Sequence, residues 1–359
     1  MISIYCNGVQ LRGFSAVQAT RALDQFCGVY SINAIPEDGA WLPTFPEDEI
    51  EIRSDDEVVV KGFNDECIPS FDTSGSKFMV RGREVSKDVV DCPPETINFE
   101  NKKVDEIARI ICAEFNVNFL GANGADVGAP LEKFSGDPGA TGYEIMLAAC
   151  RQRRVIPVSD GMGRVRLDGG RYESAEVDLK QGQNVLAASG NFSTKKRFKV
   201  YRVVASSDYS GKTFAEVTDD DVKRPRRWVM VDERWSTKEC CEDRAMWEAK
   251  HQQAVANTVV VTVSGWRQKE NGSLWKPGLI VRADLPAILG EGCAGEYLVN
   301  RVDYRFDVSS GAKAFLSLVD SNCYSPAPGF PVAKKNVQAT KVKRNTWDSV
   351  RAQTGSKLR

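Results

Sequence analysis

Residues 259–266 read VVVTVSGW, and after them come LIVR at 279–282, EYLVNRV at 296–302 and AFLSLV at 314–319. Each is a short β-branched or alternating apolar run closed by glycine, proline or polar residues. A helix would need apolar positions three and four apart over ten residues or more, so these runs are read as strands. The same texture opens the chain, with ISIY at 2–5, EIEIR at 49–53, VVVKG at 58–62 and KFMVRG at 77–82. Turn signals at Glu37-Asp38-Gly39 and Ser54-Asp55-Asp56 separate them. Short strands at this spacing suit a small barrel or sandwich.

Working outward, Pro93-Pro94 closes a first β-barrel unit at residues 1–93. Residues 94–170 change character. Val104, Ile107, Ala108, Ile111, Cys112 and Phe115 recur at helical spacing and form one apolar stripe. Thr141 with Glu144 three residues later is a capping-box pattern, and Tyr143, Met146, Leu147 and Cys150 make that helix's buried face. A small α/β domain is expected there. Residues 171–205 and 257–324 are read as a second barrel. An inserted peripheral domain at 206–256 interrupts it, with a helix whose Cys241, Ala245 and Ala249 share a face. The expected fold class is therefore mainly β with α+β parts.

Net charge is −1 over 359 residues, which gives no general affinity for polyanions. The charge is uneven, however. Residues 325–359 hold eight Lys or Arg against one acid, Asp348, a net +7, and read as a basic flexible tail. The first residues lack a basic stretch followed by an apolar core, so no secretory signal is expected. No run of 18 apolar residues is present, and no membrane insertion is expected.

Enzymatic chemistry finds little purchase. His251 is the single histidine and lies in a charged helical stretch, where a solvated position is expected. The ten cysteines are scattered, without a CxxC, and read as reduced core residues rather than metal ligands. No GxSxG, HExxH or GxxxxGK[ST] occurs; Asp160-Gly161-Met162-Gly163 is read as a turn, because a phosphate loop would need a lysine at a helix start. The expectation is no enzyme, no cofactor and no metal. A weak internal echo links FMVRGRE at 78–84 with VTVSGWRQ at 261–268.

Four stretches carry a resemblance. They are KFMVRGREVSKDVVDC at 77–92, IARIICAEF at 107–115, FSGDPGATGYEIMLAACR at 134–151 leading to DGMGRV at 160–165, and VSGWRQ at 263–268 with LWKPG at 274–278 and YLVNRVDYRFD at 297–307. In this order and spacing the chain resembles the baseplate hub proteins of contractile-tailed phages of the Mu type. The resemblance implies a homotrimer in which two similar barrel domains per subunit line a channel. Such a ring looks six-fold to the tail tube on one side and three-fold to the central spike on the other. DNA would pass through it without specific binding, and other baseplate proteins would surround it. The location implied is the virion, after assembly in the host cytoplasm. The alternatives are a type VI secretion spike-like hub and a tail-associated cell-wall hydrolase. Gly82, Arg83, Gly265, Trp266, Trp275, Pro277 and Gly278 are the candidate assembly residues. Lys334, Lys335, Lys341, Lys343 and Arg344 are the candidates for docking the tail on a partner.

Overall fold

The computed structural model describes residues 1–35, 44–73, 75–205, 213–232, 238–321, 323 and 324. Its main feature is one 14-stranded sheet that runs through both expected β units. The strand Gly295–Asp307 joins them: its later half pairs antiparallel with Phe14–Ala22, from Arg301 opposite Ala22 to Asp307 opposite Ala16. Among the described residues the strand path does not close on itself, so two separate closed barrels do not appear as hydrogen-bonded rings. One apolar core serves both halves, with Ile4, Ile50, Val59 and Val80 from the first and Val261, Trp275, Tyr304 and Leu316 from the second.

The strand order repeats itself. Phe14–Ala22, Val29–Ala34, Gly75–Glu84, Glu57–Asp72 and Glu49–Ser54 lie side by side in that order, each antiparallel to the next. Val185–Phe192, Asn257–Ser264, Gly311–Asp320, Gly295–Asp307 and Leu279–Asp284 do the same. Two irregularities coincide as well, while a third, at Val59 between Glu49–Ser54 and Glu57–Asp72, has no counterpart. Asp65 and Asn300 are the extra residues in the fourth strands, and Ser15 and Leu186 those in the first. A bulge shifts every side chain beyond it, so matched bulges fix a residue-level equivalence. Asp72 then corresponds to Asp307, and Gly75 to Gly311, at the two hairpin ends. The repeat leaves a trace in the sequence, Phe71-Asp72 before Gly75 and Lys77 against Phe306-Asp307 before Gly311 and Lys313. The echo between 78–84 and 261–268 joins strands that are not equivalents.

The helical region folds as its pattern dictates. Helix Val104–Glu114 buries Val104, Ile107, Ala108, Ile111 and Cys112, while Phe115 is its C-cap residue. Helix Gly142–Arg151 has the Thr141–Glu144 capping box, with Glu144 N–H donating to Thr141 Oγ1 at 3.3 Å. Its buried face is Ile145, Met146, Ala149 and Cys150; Tyr143 and Leu147, expected there, are only half-buried. The glycine turn after Ser159 docks this region on the large sheet. Lys61 N–H donates to Gly161 O at 2.7 Å, and a Cβ on Gly161 would lie 2.6 Å from Val59 O.

One boundary differs from expectation. Val200–Ala205, read as part of the second β unit, is the central strand of a separate three-stranded sheet with Phe214–Thr218 and Arg227–Asp232. Helix Lys238–Val255 covers one face of that sheet through Cys241 and Ala245. The strand alternates cleanly, and alternation alone cannot say which sheet receives it.

Candidate assembly surfaces

The large sheet has one apolar face and one polar face. On the polar face a single cross-strand row runs Ser264, Lys313, Arg305, Gln18, Ser31, Arg81, Glu66, crossing from the second unit into the first without a break. All seven are exposed or half-buried. Some of the cations on this face have local partners. Arg81 meets Glu66 at 3.5 Å, Arg301 meets Asp303 at 2.9 Å, and Arg305 lies over the Phe315 ring at 4.4 Å. The result is a wide, polar surface of mixed charge, the pattern of an antiparallel sheet with one face turned away from the core.

Among the described residues two stretches of the sheet have strand pairing along one side only, apart from a bridge between Val185 and Gln181. From Gln181 to Thr194 no residue is charged, and this stretch contains the edge strand Val185–Phe192. Leu186 and Phe192 are exposed along it. The second edge is the outer half of Glu57–Asp72. That strand pairs with Glu49–Ser54 only as far as Phe63. From Glu66 to Asp72 its one recorded partner among the described residues is Gly75–Glu84. Phe71 stands 88% exposed there. Native proteins shield sheet edges with charge, proline or bulges; Val185–Phe192 has a bulge at Leu186 and no charge, and the other stretch has Glu66, Pro69 and Asp72.

The candidate residues from the sequence fall into two sites, and neither is an open contact patch. Gly82 is buried mid-strand, where a Cβ would lie 2.2 Å from Tyr30 Oη and 2.3 Å from Phe63 O. Its neighbour Arg83 bridges Asp65 and Asp91, each at 2.7 Å, and Asp65 also takes Lys87 at 3.2 Å. Burial works against an ionised Asp65, yet Arg83 and Lys87 hold its carboxyl below the usual range; Asp91 is lowered by its bond to Arg83.

Gly265, by contrast, takes φ +75 in the turn after Asn257–Ser264. Trp266 and Trp275 are both buried, with Trp266 Nε1–H donating to Arg305 O at 3.0 Å and Trp275 N–H donating to Trp266 O at 2.9 Å. Tyr304 Oη–H donates to Trp275 O. Pro277 is buried, and Gly278, at φ +88, donates its N–H to Val299 O at 2.9 Å. The tail candidates Lys334, Lys335, Lys341, Lys343 and Arg344 lie outside the described residues.

Sequence reading missed Arg267 as a clamp between the two β units. Its guanidinium reaches Asp55 at 2.9 Å, Glu57 at 3.2 Å, Ser54 O at 2.6 Å and Gly272 O at 2.8 Å. It also placed His251 in solvent. The ring instead stacks on Trp247 at 4.9 Å, with Tyr324 at 5.4 Å and Cys323 Sγ 3.7 Å from Nδ1, and burial depresses its pKa. Nothing local signals this, because Cys323 and Tyr324 arrive from the far end of the last strand.

Among the described residues no group of three His, Cys, Asp or Glu side chains is placed to hold a metal, and no helix is long and apolar enough to cross a membrane.

Comparison with known proteins agrees with this architecture. Residues 86–169 match the family described as baseplate hub protein gp44-like, second domain. Residues 236–327 match Mu phage baseplate assembly protein GpP, fourth domain. Over 97% of its length the chain is 24% identical to the baseplate hub protein gp44 of Escherichia phage Mu, covering 93% of that protein. Among solved structures, the 43 kDa tail protein of prophage MuSo2 from Shewanella oneidensis is 27% identical, with a TM-score of 0.80 over 90% of this chain and 98% of that one. The tail protein from Neisseria meningitidis MC58, at 16% identity, shares the fold, with a TM-score of 0.79 over 90% of this chain and 98% of its own. No catalytic family is among these matches. By two domain matches and a likeness along nearly its whole length, the chain is similar to baseplate hub proteins of the phage Mu type, which are structural proteins of the phage tail.

Proposed function

We propose that three copies of this chain form a closed ring that joins the tail tube to the central spike of a contractile tail and leaves a bore for DNA. The observation that carries this reading is the five-strand order present twice in one polypeptide. Three chains with two equivalent units each offer six similar seats to a cylinder above and three to a spike below, which is how a cyclic assembly adapts one symmetry to another. In this reading the strand repeats complete closed barrels only in the assembly. The polar row from Ser264 to Glu66 faces the bore, with Arg81 paired to Glu66 and Arg305 laid over the Phe315 ring.

Gly82, Trp266, Trp275, Pro277 and Gly278 serve assembly from inside the subunit by fixing the sheet's shape. Arg83 and Gly265 set its rim. The α/β region at 94–170 and the inserted unit stand outside the ring and meet other baseplate proteins. The basic tail, through Lys334, Lys335, Lys341, Lys343 and Arg344, docks on an acidic neighbour such as the spike. Assembly takes place in the host cytoplasm.

The test is electron microscopy of the purified full chain. A three-fold ring with six β lobes around a pore is expected. Isolated particles without a pore would refute the reading. Deleting residues 325–359 should leave the ring intact and impair its incorporation into tails.

A further inference from the structure

Two basic runs lie far apart in the sequence, Lys195-Lys196-Arg197-Phe198-Lys199 and Lys223-Arg224-Pro225-Arg226-Arg227. The three-stranded sheet of the inserted unit sets them side by side. Lys199 N–H and Val200 N–H both donate to Arg226 O, at 2.9 and 3.1 Å. One arginine of each run holds this arrangement. Arg197 is buried and donates to Asp219 and to Asp221, at 2.9 Å each. Arg226 donates to Thr194 O at 2.7 Å and to Lys195 O at 2.9 Å, and lies over the Phe198 ring at 4.6 Å. The other cations are Lys195, Lys196, Lys199, Lys223, Arg224 and Arg227. All are exposed or half-buried, and among the described residues none has an ion pair. With Asp219 and Asp221 turned to Arg197, only Asp220 of that acidic run is left beside them. Residues 194–227 hold ten Lys or Arg against five acids, whereas the rest of the chain up to residue 324 is net −13.

The same sheet has an apolar end. On Arg227–Asp232 the side chains of Arg227, Val229 and Val231 point away from helix Lys238–Val255, and Val229 and Val231 are 54% and 61% exposed. Trp228 and Met230 take the other side, Trp228 beside Tyr201 and Met230 beside Cys241 and Ala245. The register places Thr218, Val200 and Arg227 in one cross-strand row, Glu216, Arg202 and Val229 in the next, and Phe214, Val204 and Val231 in the last. This face therefore runs from cationic to apolar over four residues of strand, about 13 Å.

We propose that this face of the inserted unit docks an acidic segment of another tail protein, with carboxylates on the cationic end and apolar side chains on Val229 and Val231. The proposal rests on the reading that the inserted unit stands outside the ring and meets other baseplate proteins, and it adds the surface and the chemistry of the partner. Two features select a protein. A nucleic acid would use the cations through its phosphates and leave both valines unused. An anionic bilayer would take cations and valines together, but seating Val229 among acyl chains would carry in the Arg202–Glu216 ion pair of its own row, at 2.6 Å. The basic run at 325–359, net +7, is repelled by the same cations.

The test is photocrosslinking in assembled tails. p-Benzoylphenylalanine is placed at Val229 in one full-length chain and at Lys196 in another, so that bulk at one position does not decide the result. Irradiation should join the chain to a peptide of a different tail protein in which Asp and Glu clearly outnumber Lys and Arg. A triple variant, Lys195→Glu with Lys196→Glu and Arg224→Glu, alters exposed side chains without ion pairs and should keep its thermal midpoint. It should enter tails at least about tenfold less well. The proposal is overturned if both positions fail to crosslink. It is equally overturned if they crosslink only to DNA, to lipid, to the hub chain itself or to a peptide without an acidic excess, or if the triple variant enters tails normally. The mass of the free hub reads the ring separately. A three-chain mass with failed crosslinks overturns this surface and leaves the ring, whereas a single-chain mass overturns the ring while the crosslinks still decide the surface.

Discussion

Replacing Gly82 with alanine asks whether the first β unit is shaped by close backbone approach. The added Cβ would lie 2.2 Å from Tyr30 Oη and 2.3 Å from Phe63 O. Neither neighbour yields easily. Phe63 O belongs to a strand held on both sides, by Glu49–Ser54 and by Gly75–Glu84. Tyr30 is 3% exposed, and its hydroxyl donates to Asn64 Oδ1 at 3.1 Å. Overpacking a filled site costs about 1–3 kcal/mol. Displacing the tyrosine forfeits a buried hydrogen bond, about 1 kcal/mol more. Gly82→Ala should therefore destabilise by about 3 kcal/mol, read as a shift in the guanidinium unfolding midpoint with an unchanged slope. In a Tyr30→Ala background the same change should cost less by about 1 kcal/mol, because only the Phe63 carbonyl remains in the way. A loss below about 1 kcal/mol in the natural background, or no coupling to Tyr30, would refute the packing argument.

Arg267→Ala should cost about 1–2 kcal/mol, since it removes charge-assisted bonds to Ser54 O and Gly272 O along with two half-exposed ion pairs that contribute little alone. Much of that loss should persist in high salt, which screens only the ion pairs; a loss abolished by salt would contradict it. His251 carries a pH signature. Its folded pKa is depressed by burial, so the stability it contributes is present above its unfolded value near 6.5 and is lost as pH falls through that value toward the folded one. His251→Phe keeps the stack on Trp247 and should flatten the stability profile between about pH 7 and 5; an unchanged profile would show that the ring titrates freely.

Much of this architecture could be read from residue spacing. The stripe from Val104 to Cys112 and the Thr141–Glu144 cap need only local geometry, and both stand as expected. Strand positions were legible for the same reason. Strand partners were not. Val200–Ala205 alternates like any strand of the large sheet yet pairs with Phe214–Thr218 and Arg227–Asp232. The resemblance implies two similar units, but their residue-level equivalence is not legible in the sequence, because a strand must conserve which face a side chain takes, not which residue supplies it. Val17 therefore corresponds to Ala188, and Ala19 to Gly190. The hairpin after Asp72 is also one residue shorter than that after Asp307, which breaks the spacing of the one shared motif. Phe71-Asp72 with Gly75 and Lys77 was visible in the sequence, but only the matched bulges say what it means. The strands paired along one side only lie beyond pattern reading, since a strand carries the same alternation whether its neighbour belongs to its own chain or another.

The most direct measurement is the mass of the purified full chain by native mass spectrometry across a wide range of concentration. If two repeated units let three polypeptides close a ring, the dominant species weighs three times the 39.7 kDa chain and keeps that mass on dilution. A single-chain mass at every concentration, or an even-numbered assembly, would contradict it.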